Sequence, residues 1–241
     1  MMARRGEQLR EHILWTAKDV FVEFGYERTS MDVVAARAET SKRSLYAHFA
    51  SKDVLFGAVV GLVRELYLGR LGTPAEYGTE PGEAVVRYCG RLVQLLLWKS
   101  ALRALRLGIA EAERLPEVAA DYHEAIFEVP RRRLGDYLVE RYGCDAEAGA
   151  DLAGQLIGRA IYPQLIGALL GTEPMLTERP EEESLAQDID LEPLRRLAAV
   201  LLPPAQRDVS ASPSDSSSDS PDSSGSSELP RAGSHSSVKP E

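Results

Sequence analysis

Residues 29–52 read TSMDVVAARAETSKRSLYAHFASK. Two short apolar patterns lie in this stretch, separated by a break at Glu39-Thr40. Met31, Val34, Ala35 and Ala38 recur at three- and four-residue spacing, the period of one helical face. Leu45 and Phe49 repeat that spacing one turn apart. Thr29, with Asp32 three residues on, stands in the register of an N-cap and its capping box. Ser41 stands as a cap before the second pattern. Two short helices joined by a tight turn, a helix-turn-helix, are therefore expected, the second over residues 41–49. Such a helix rises about 13 Å, comparable to a major groove roughly 12 Å wide.

With Leu45 and Phe49 turned inward, the positions left facing outward are Ser41, Lys42, Arg43, Ser44, Tyr46 and His48. None is acidic, although the chain as a whole is. Donors without carboxylates suit a polyanion: arginine for base edges, lysine and hydroxyls for phosphate oxygens. Thr29 and Ser41 at helix N-termini add backbone N–H groups for phosphate, and Lys52 adds a nearby positive charge. Any one of these residues alone reads as an ordinary cap or solvated side chain; their clustering favours double-stranded DNA.

Upstream, Leu9, Ile13, Ala17, Val20 and Phe24 trace one face of a first helix, which Gly25 is expected to stop. Downstream, Ser51 caps a fourth helix with Asp53 in its first turn, and Leu55, Val59, Leu62 and Leu66 form its stripe. TPAEYGTEPG at 73–82 is rich in breakers and reads as a linker. Helical patterns follow at 83–99, 101–113, 116–142, 146–170 and 185–201, with Pro116 suited to a first turn. Pro130 and Pro163 fall inside these patterns, so each should kink or split its helix. GTEPMLTERPEEE is the loop before the last helix. From residue 203 onward, SPSDSSSDSPDSSGSS typifies a tail too polar to offset its ordering entropy, so disorder is expected. The reading is all-α: a helix-turn-helix DNA-binding domain over 1–72, a helical domain over 73–202, and a Ser-rich tail over 203–241.

Charge follows this division. Residues 1–72 carry 11 Lys+Arg against 9 Asp+Glu, net +2, whereas the remainder carries 17 against 28, net −11. Only the surface meeting the phosphates need be positive. Cys89 and Cys144 lie far apart and outside any CxxC spacing, and His12, His48, His123 and His235 are scattered, so neither disulfide nor metal is expected. The basic start lacks a following apolar run, and Arg159 interrupts the most apolar stretch; a soluble, cytoplasmic chain without a membrane segment is expected. Arg131-Arg132-Arg133 point in three directions on a helix and make no single basic face, so they read as a solvated turn.

A family resemblance sharpens this reading. Phe24-Gly25-Tyr26, Thr29-Ser30-Met31, Val34-Ala35, SKRSLYAHF at 41–49 and Ser51-Lys52-Asp53-Val54-Leu55 resemble the N-terminal domain of the tetracycline-repressor (TetR) family. The resemblance implies a dimeric one-component regulator, in most members a repressor. It places Thr29, Tyr46, His48 and Lys52 on DNA phosphates and Ser41, Lys42, Arg43 and Ser44 over the bases. One departure stands out: the family often has Gly-Val before the serine, and Glu39-Thr40 stands here. Without glycine the turn must avoid a positive φ or strain into one. Beyond residue 72 the resemblance is architectural and implies that residues 73–202 are a helical ligand-binding and dimerisation domain, which binds a small molecule and dimerises through its last two helices.

Small residues (Ala150, Gly154, Gly158, Gly167, Ala168) and leucines along 146–170 and 185–201 are compatible with a four-helix bundle between two subunits. Tyr88, Trp98, Leu102, Leu105, Tyr122, His123 and Phe127 are the candidate lining of an effector pocket, though such a set describes a helical core equally well. The expected function is a homodimeric repressor on a near-palindromic operator, released by a small molecule. An enzyme is the rival class, but no GxSxG, HExxH, phosphate loop or dinucleotide fingerprint occurs, so no catalytic residue or cofactor is assigned. The alternative is an architectural, sequence-indifferent DNA binder; a discrete footprint separates the two.

Overall fold

The computed structural model describes residues 2–177, 180, 185 and 189–204. The tail read from residue 203 falls, from 205 onward, outside the described residues. The described residues form one compact unit. Among the described residues the regular elements are helical, apart from one isolated bridge between Trp98 and Leu176.

The helices are α1 (Met2–Arg28), α2 (Met31–Arg37), α3 (Lys42–His48), α4 (Lys52–Arg70), α5 (Pro81–Leu97), α6 (Lys99–Ala110), α7 (Pro116–His123), α8 (Val129–Tyr142), α9 (Ala146–Leu170) and α10 (Glu192–Leu201). Within α1 the helical path is broken at Gly25, at φ 78° and ψ 174°, a region open to glycine alone. The buried face of α1 is Ile13, Ala17, Val20 and Phe21; Leu9 and Phe24 are only partly covered. Phe21 stacks with Tyr26 and meets Phe56 of α4 edge-on, which fixes α1 against α4. On α4 the stripe is Leu55, Phe56, Val59, Val60 and Tyr67, with Leu62 and Leu66 half-buried. The α2–α3 hairpin closes this head by inserting Met31, Val34, Leu45 and Phe49.

In the body, α8 and α9 pair closely where Gly149 faces Gly135: a Cβ on Gly149 would lie 3.1 Å from the Gly135 carbonyl oxygen. Helix α5 runs buried between α9 and α10. Pro130 distorts its segment as expected, because it lacks the N–H of an α-helical bond; a π-helical turn over residues 124–128 joins α7 to α8. Helix α9 runs on across position 163 without a split. Two expectations are corrected. The last helix starts at Glu192 rather than at 185, because Pro193 fits a first turn and would break a helix interior. The arginine triplet is no turn but the first turn of α8: Arg131 pairs with Glu128 at 2.7 Å, Arg132 pairs with Glu124 at 2.6 Å, and Arg133 caps α4 by donating to the Leu71 and Gly72 carbonyls.

Candidate nucleic-acid interface

The entry into α2 differs by one residue from expectation. Ser30, not Thr29, is the N-cap: its Oγ accepts from the Val33 N–H at 3.2 Å. Thr29 is buried, and its hydroxyl donates to the Gly25 carbonyl at 2.7 Å, so it braces the kink that delivers the chain to α2. The α2–α3 turn then closes through two backbone bonds, Thr40 N–H to Ala35 O at 3.0 Å and Glu39 N–H to Ala36 O at 3.2 Å. That is a Schellman ending, which needs a left-handed residue at Glu39, and Glu39 adopts it at φ 49°. Of the two outcomes open to a glycine-free turn, the chain takes strain. Ser41 caps α3 as expected, its Oγ accepting from the Ser44 N–H at 3.1 Å and lying 2.9 Å from the Ser44 hydroxyl.

Leu45 and Phe49 are fully buried, and the Arg10 guanidinium lies 5.0 Å over the Phe49 ring. The opposite face of α3 gathers six of the eight candidate DNA residues: Ser41, Lys42, Arg43 and Tyr46 are exposed, Ser44 and His48 half-buried. Lys42 forms an ion pair of 2.6 Å with Asp32 of α2, an acidic neighbour that the reading of α3 alone had missed. Arg43 has no ion pair or hydrogen bond among the described residues. Lys52 sits apart, at the start of α4, its ammonium 4.0 Å over the Tyr26 ring and 3.4 Å from the Glu27 carbonyl. Thr29 lies beneath this surface, not on it.

Five of the seven candidate pocket residues line two cavities. The first, of about 290 Å³, is bounded by α1, α4, α5, α6 and Tyr122, and takes in Trp98, Leu105 and Tyr122. The second, of about 480 Å³, is an apolar groove between α6, α7 and α9 that takes in Leu105, Tyr122, His123 and Phe127. Tyr88 and Leu102 line neither and are fully buried, with the Tyr88 hydroxyl donating to the Pro130 carbonyl at 3.0 Å. Both serve as core. The wall that α1 gives the first cavity was missed, although Trp15 gave a signal: it lies off the Ile13–Ala17 stripe yet is large and apolar.

Residues 13–59, spanning α1 to the middle of α4, match the model of the bacterial regulatory proteins of the tetR family. The chain is 28% identical over 193 residues to the HTH-type transcriptional regulator UidR of Escherichia coli, covering 78% of this chain and 92% of that one. The chain belongs to the tetR family. This tetR-family chain is therefore a helix-turn-helix transcriptional regulator, not an enzyme. Its fold is that of a Mesorhizobium loti protein solved as a candidate TetR-family regulator, with a TM-score of 0.62 at 23% identity, covering 82% of this chain and 95% of that one. The flavonoid-responsive regulator FrrA gives 0.61 at 23% identity, with 81% and 95% covered.

One further cluster in this tetR-family regulator joins head to body. Arg114, just beyond α6, pairs with Asp53 at 2.9 Å and with Glu111 at 2.9 Å, and lies 3.6 Å over the Tyr26 ring. Tyr26 is thus held between Lys52 and Arg114 while its hydroxyl donates to Asp53. Burial and that hydrogen bond push the Tyr26 phenol up to about 12. The Tyr26 and Arg114 donors hold the Asp53 carboxyl below its ordinary range. No spacing in the sequence links Arg114 to Asp53, which stand 61 residues apart. Among the described residues no single helix is long and apolar enough to cross a membrane.

Proposed function

We propose that the chain is a homodimeric repressor of cytoplasmic DNA, binding a near-palindromic operator and released by a small molecule. The observation that carries this is the outer face of α3, which has no acid of its own, is anchored by Leu45 and Phe49, and presents an unengaged Arg43 beside Lys42, whose one acidic partner is Asp32 of α2. In this reading Ser41, Lys42, Arg43 and Ser44 meet base edges and flanking phosphates, Tyr46, His48 and Lys52 hold the backbone, and Thr29 sets the angle of the hairpin. Two α3 helices would enter successive major grooves about 34–36 Å apart, which requires a two-fold protein. The exposed apolar side chains that would form such an interface are Tyr162, Ile166 and Leu170, which recur every fourth residue on α9 and are 68%, 42% and 74% exposed, and Val200 of α10 at 78%. The inner leucines of α9, Leu156 and Leu165, already pack within the subunit. The effector would bind in the body, against Trp98, Leu105, Tyr122, His123 and Phe127, and favour a head spacing that no longer fits the operator.

The test is an anisotropy titration of duplexes from the gene's own upstream region. Arg43→Ala should weaken binding by about 1–3 kcal/mol and blur sequence preference, whereas Lys52→Ala should weaken all duplexes alike and flatten the salt dependence by about one ion. If both variants bind as the parent does, α3 is not the reading element.

A further inference from the structure

We propose that Arg10 of α1 is a further DNA-contacting residue, an arginine that clamps a backbone phosphate beside the last turn of α3. This rests on α3 as the reading helix, but the residue belongs to another element. Arg10 is exposed, and its guanidinium lies 5.0 Å over the ring of Phe49, the residue that closes α3. Phe49 itself is buried, so the guanidinium marks the seam where α1 packs on the end of α3. Among the described residues no hydrogen bond or ion pair engages Arg10; Glu7 and Glu11, its acidic neighbours on α1, leave it unpaired. Ordering a long side chain over a ring costs rotamer entropy, and an exposed cation–π contact returns little. What the contact secures is the position of a charge.

The head supplies its own contrast. Arg37 also lies over a ring, 5.3 Å from the centre of Phe24, but its two terminal nitrogens are taken by Glu23 at 2.9 and 3.3 Å. Lys42 is likewise paired with Asp32. Arg10, like Arg43, keeps its donors open among the described residues. A helix lying in the major groove has a phosphate backbone about 6 Å to either side of its axis, half the groove width. A cation fixed beside the end of that helix is in reach of a strand rather than of the base edges on the groove floor. Arginine meets phosphate there with a full charge and a fork of N–H donors that matches two of its oxygens. Since every sequence carries the same phosphates, the contact adds affinity and register but no sequence preference. A purely packing role would need only an aliphatic stem over the Phe49 ring, which methionine supplies without charge.

The experiment titrates the full chain against duplexes from the gene's own upstream region over a range of salt, with a melting temperature for each variant. Arg10→Met should weaken binding about three- to tenfold on every duplex alike and make the salt dependence shallower by about one ion per subunit. Its melting temperature should stay within about a degree or two of the parent's. Arg10→Lys, which keeps the charge, should recover the parent's salt slope and most of the affinity. Arg37→Met changes the net charge by the same amount but removes an arginine already neutralised by Glu23, so it should leave the slope at the parent's value. A loss of affinity at the parent's slope, or a slope flattened as much by Arg37→Met as by Arg10→Met, overturns the clamp. Parent-like binding by Arg10→Met overturns it too, and Arg43→Ala then shows how far the failure reaches. If Arg43→Ala still weakens binding, α3 reads the groove and Arg10 alone is misassigned; if it does not, the placement of α3 falls as well.

Discussion

Glu39 is the only non-glycine among the described residues with a positive φ. Its conformation is dictated from both sides: α2 must end within one turn, and the Ser41 cap must start α3 two residues later. The sequence left two ways to meet that demand without glycine, and backbone geometry alone decides between them. A β-carbon in the left-handed region costs roughly 1–2 kcal/mol, part of which is returned because glycine is freer in the unfolded chain. Glu39→Gly should therefore raise unfolding stability by about 0.5–1 kcal/mol, read from the denaturant midpoint at unchanged slope. A lower midpoint would mean that the glutamate side chain contributes more than its backbone loses. Thr29 teaches the complementary lesson at this scale. Two adjacent hydroxyls, Thr29 and Ser30, could each cap α2, and the choice is made by Gly25, whose carbonyl claims the Thr29 proton. A local pattern cannot rank two caps when the arbiter is a tertiary kink.

Elements with strong periodicity were legible: α3, α4 and α9 lie where their apolar spacing put them, since a buried stripe is a local property. What was not legible depends on partners distant in sequence. Helix α10 is held by one such contact. Glu83, in the first turn of α5, accepts from Arg195 at 3.0 and 3.1 Å and from Arg87 at 2.8 Å. The hydrogen bonds from Arg195 and then Arg87 lower the Glu83 carboxyl from 4.5 to about 2. Since the folded value is the depressed one, the contribution is fully present above about pH 4.5 and is lost as pH falls toward 2. The unfolding midpoint followed across that window should fall less steeply for Arg195→Gln than for the parent. Parallel curves would show that α10 is docked by its apolar contacts, Leu194 and Ala198, alone.

At the scale of the whole molecule, the question is how the body reaches α3. The head and body were separable in composition and charge, but the contacts that join them were not, because they pair residues on opposite sides of α5 and α6. Arg114 closes one of these routes: just beyond α6, which lines both cavities, it is pinned to Tyr26 and to Asp53, the next residue after Lys52. As an exposed ion pair it adds little to stability. Its weight lies in orientation, since a head that samples several angles binds an operator only in the fraction matching the groove spacing. Arg114→Ala should therefore lower operator affinity about three- to tenfold while moving the melting temperature by only a degree or two. It should also shrink the further loss of affinity that a cavity ligand produces, because α6 would then shift without carrying α4. The decisive form is a double-mutant cycle with Asp53→Ala read on operator affinity, where the two losses should fall well short of additive. Strict additivity would leave α1, packed on both α4 and α6, as the route from body to head.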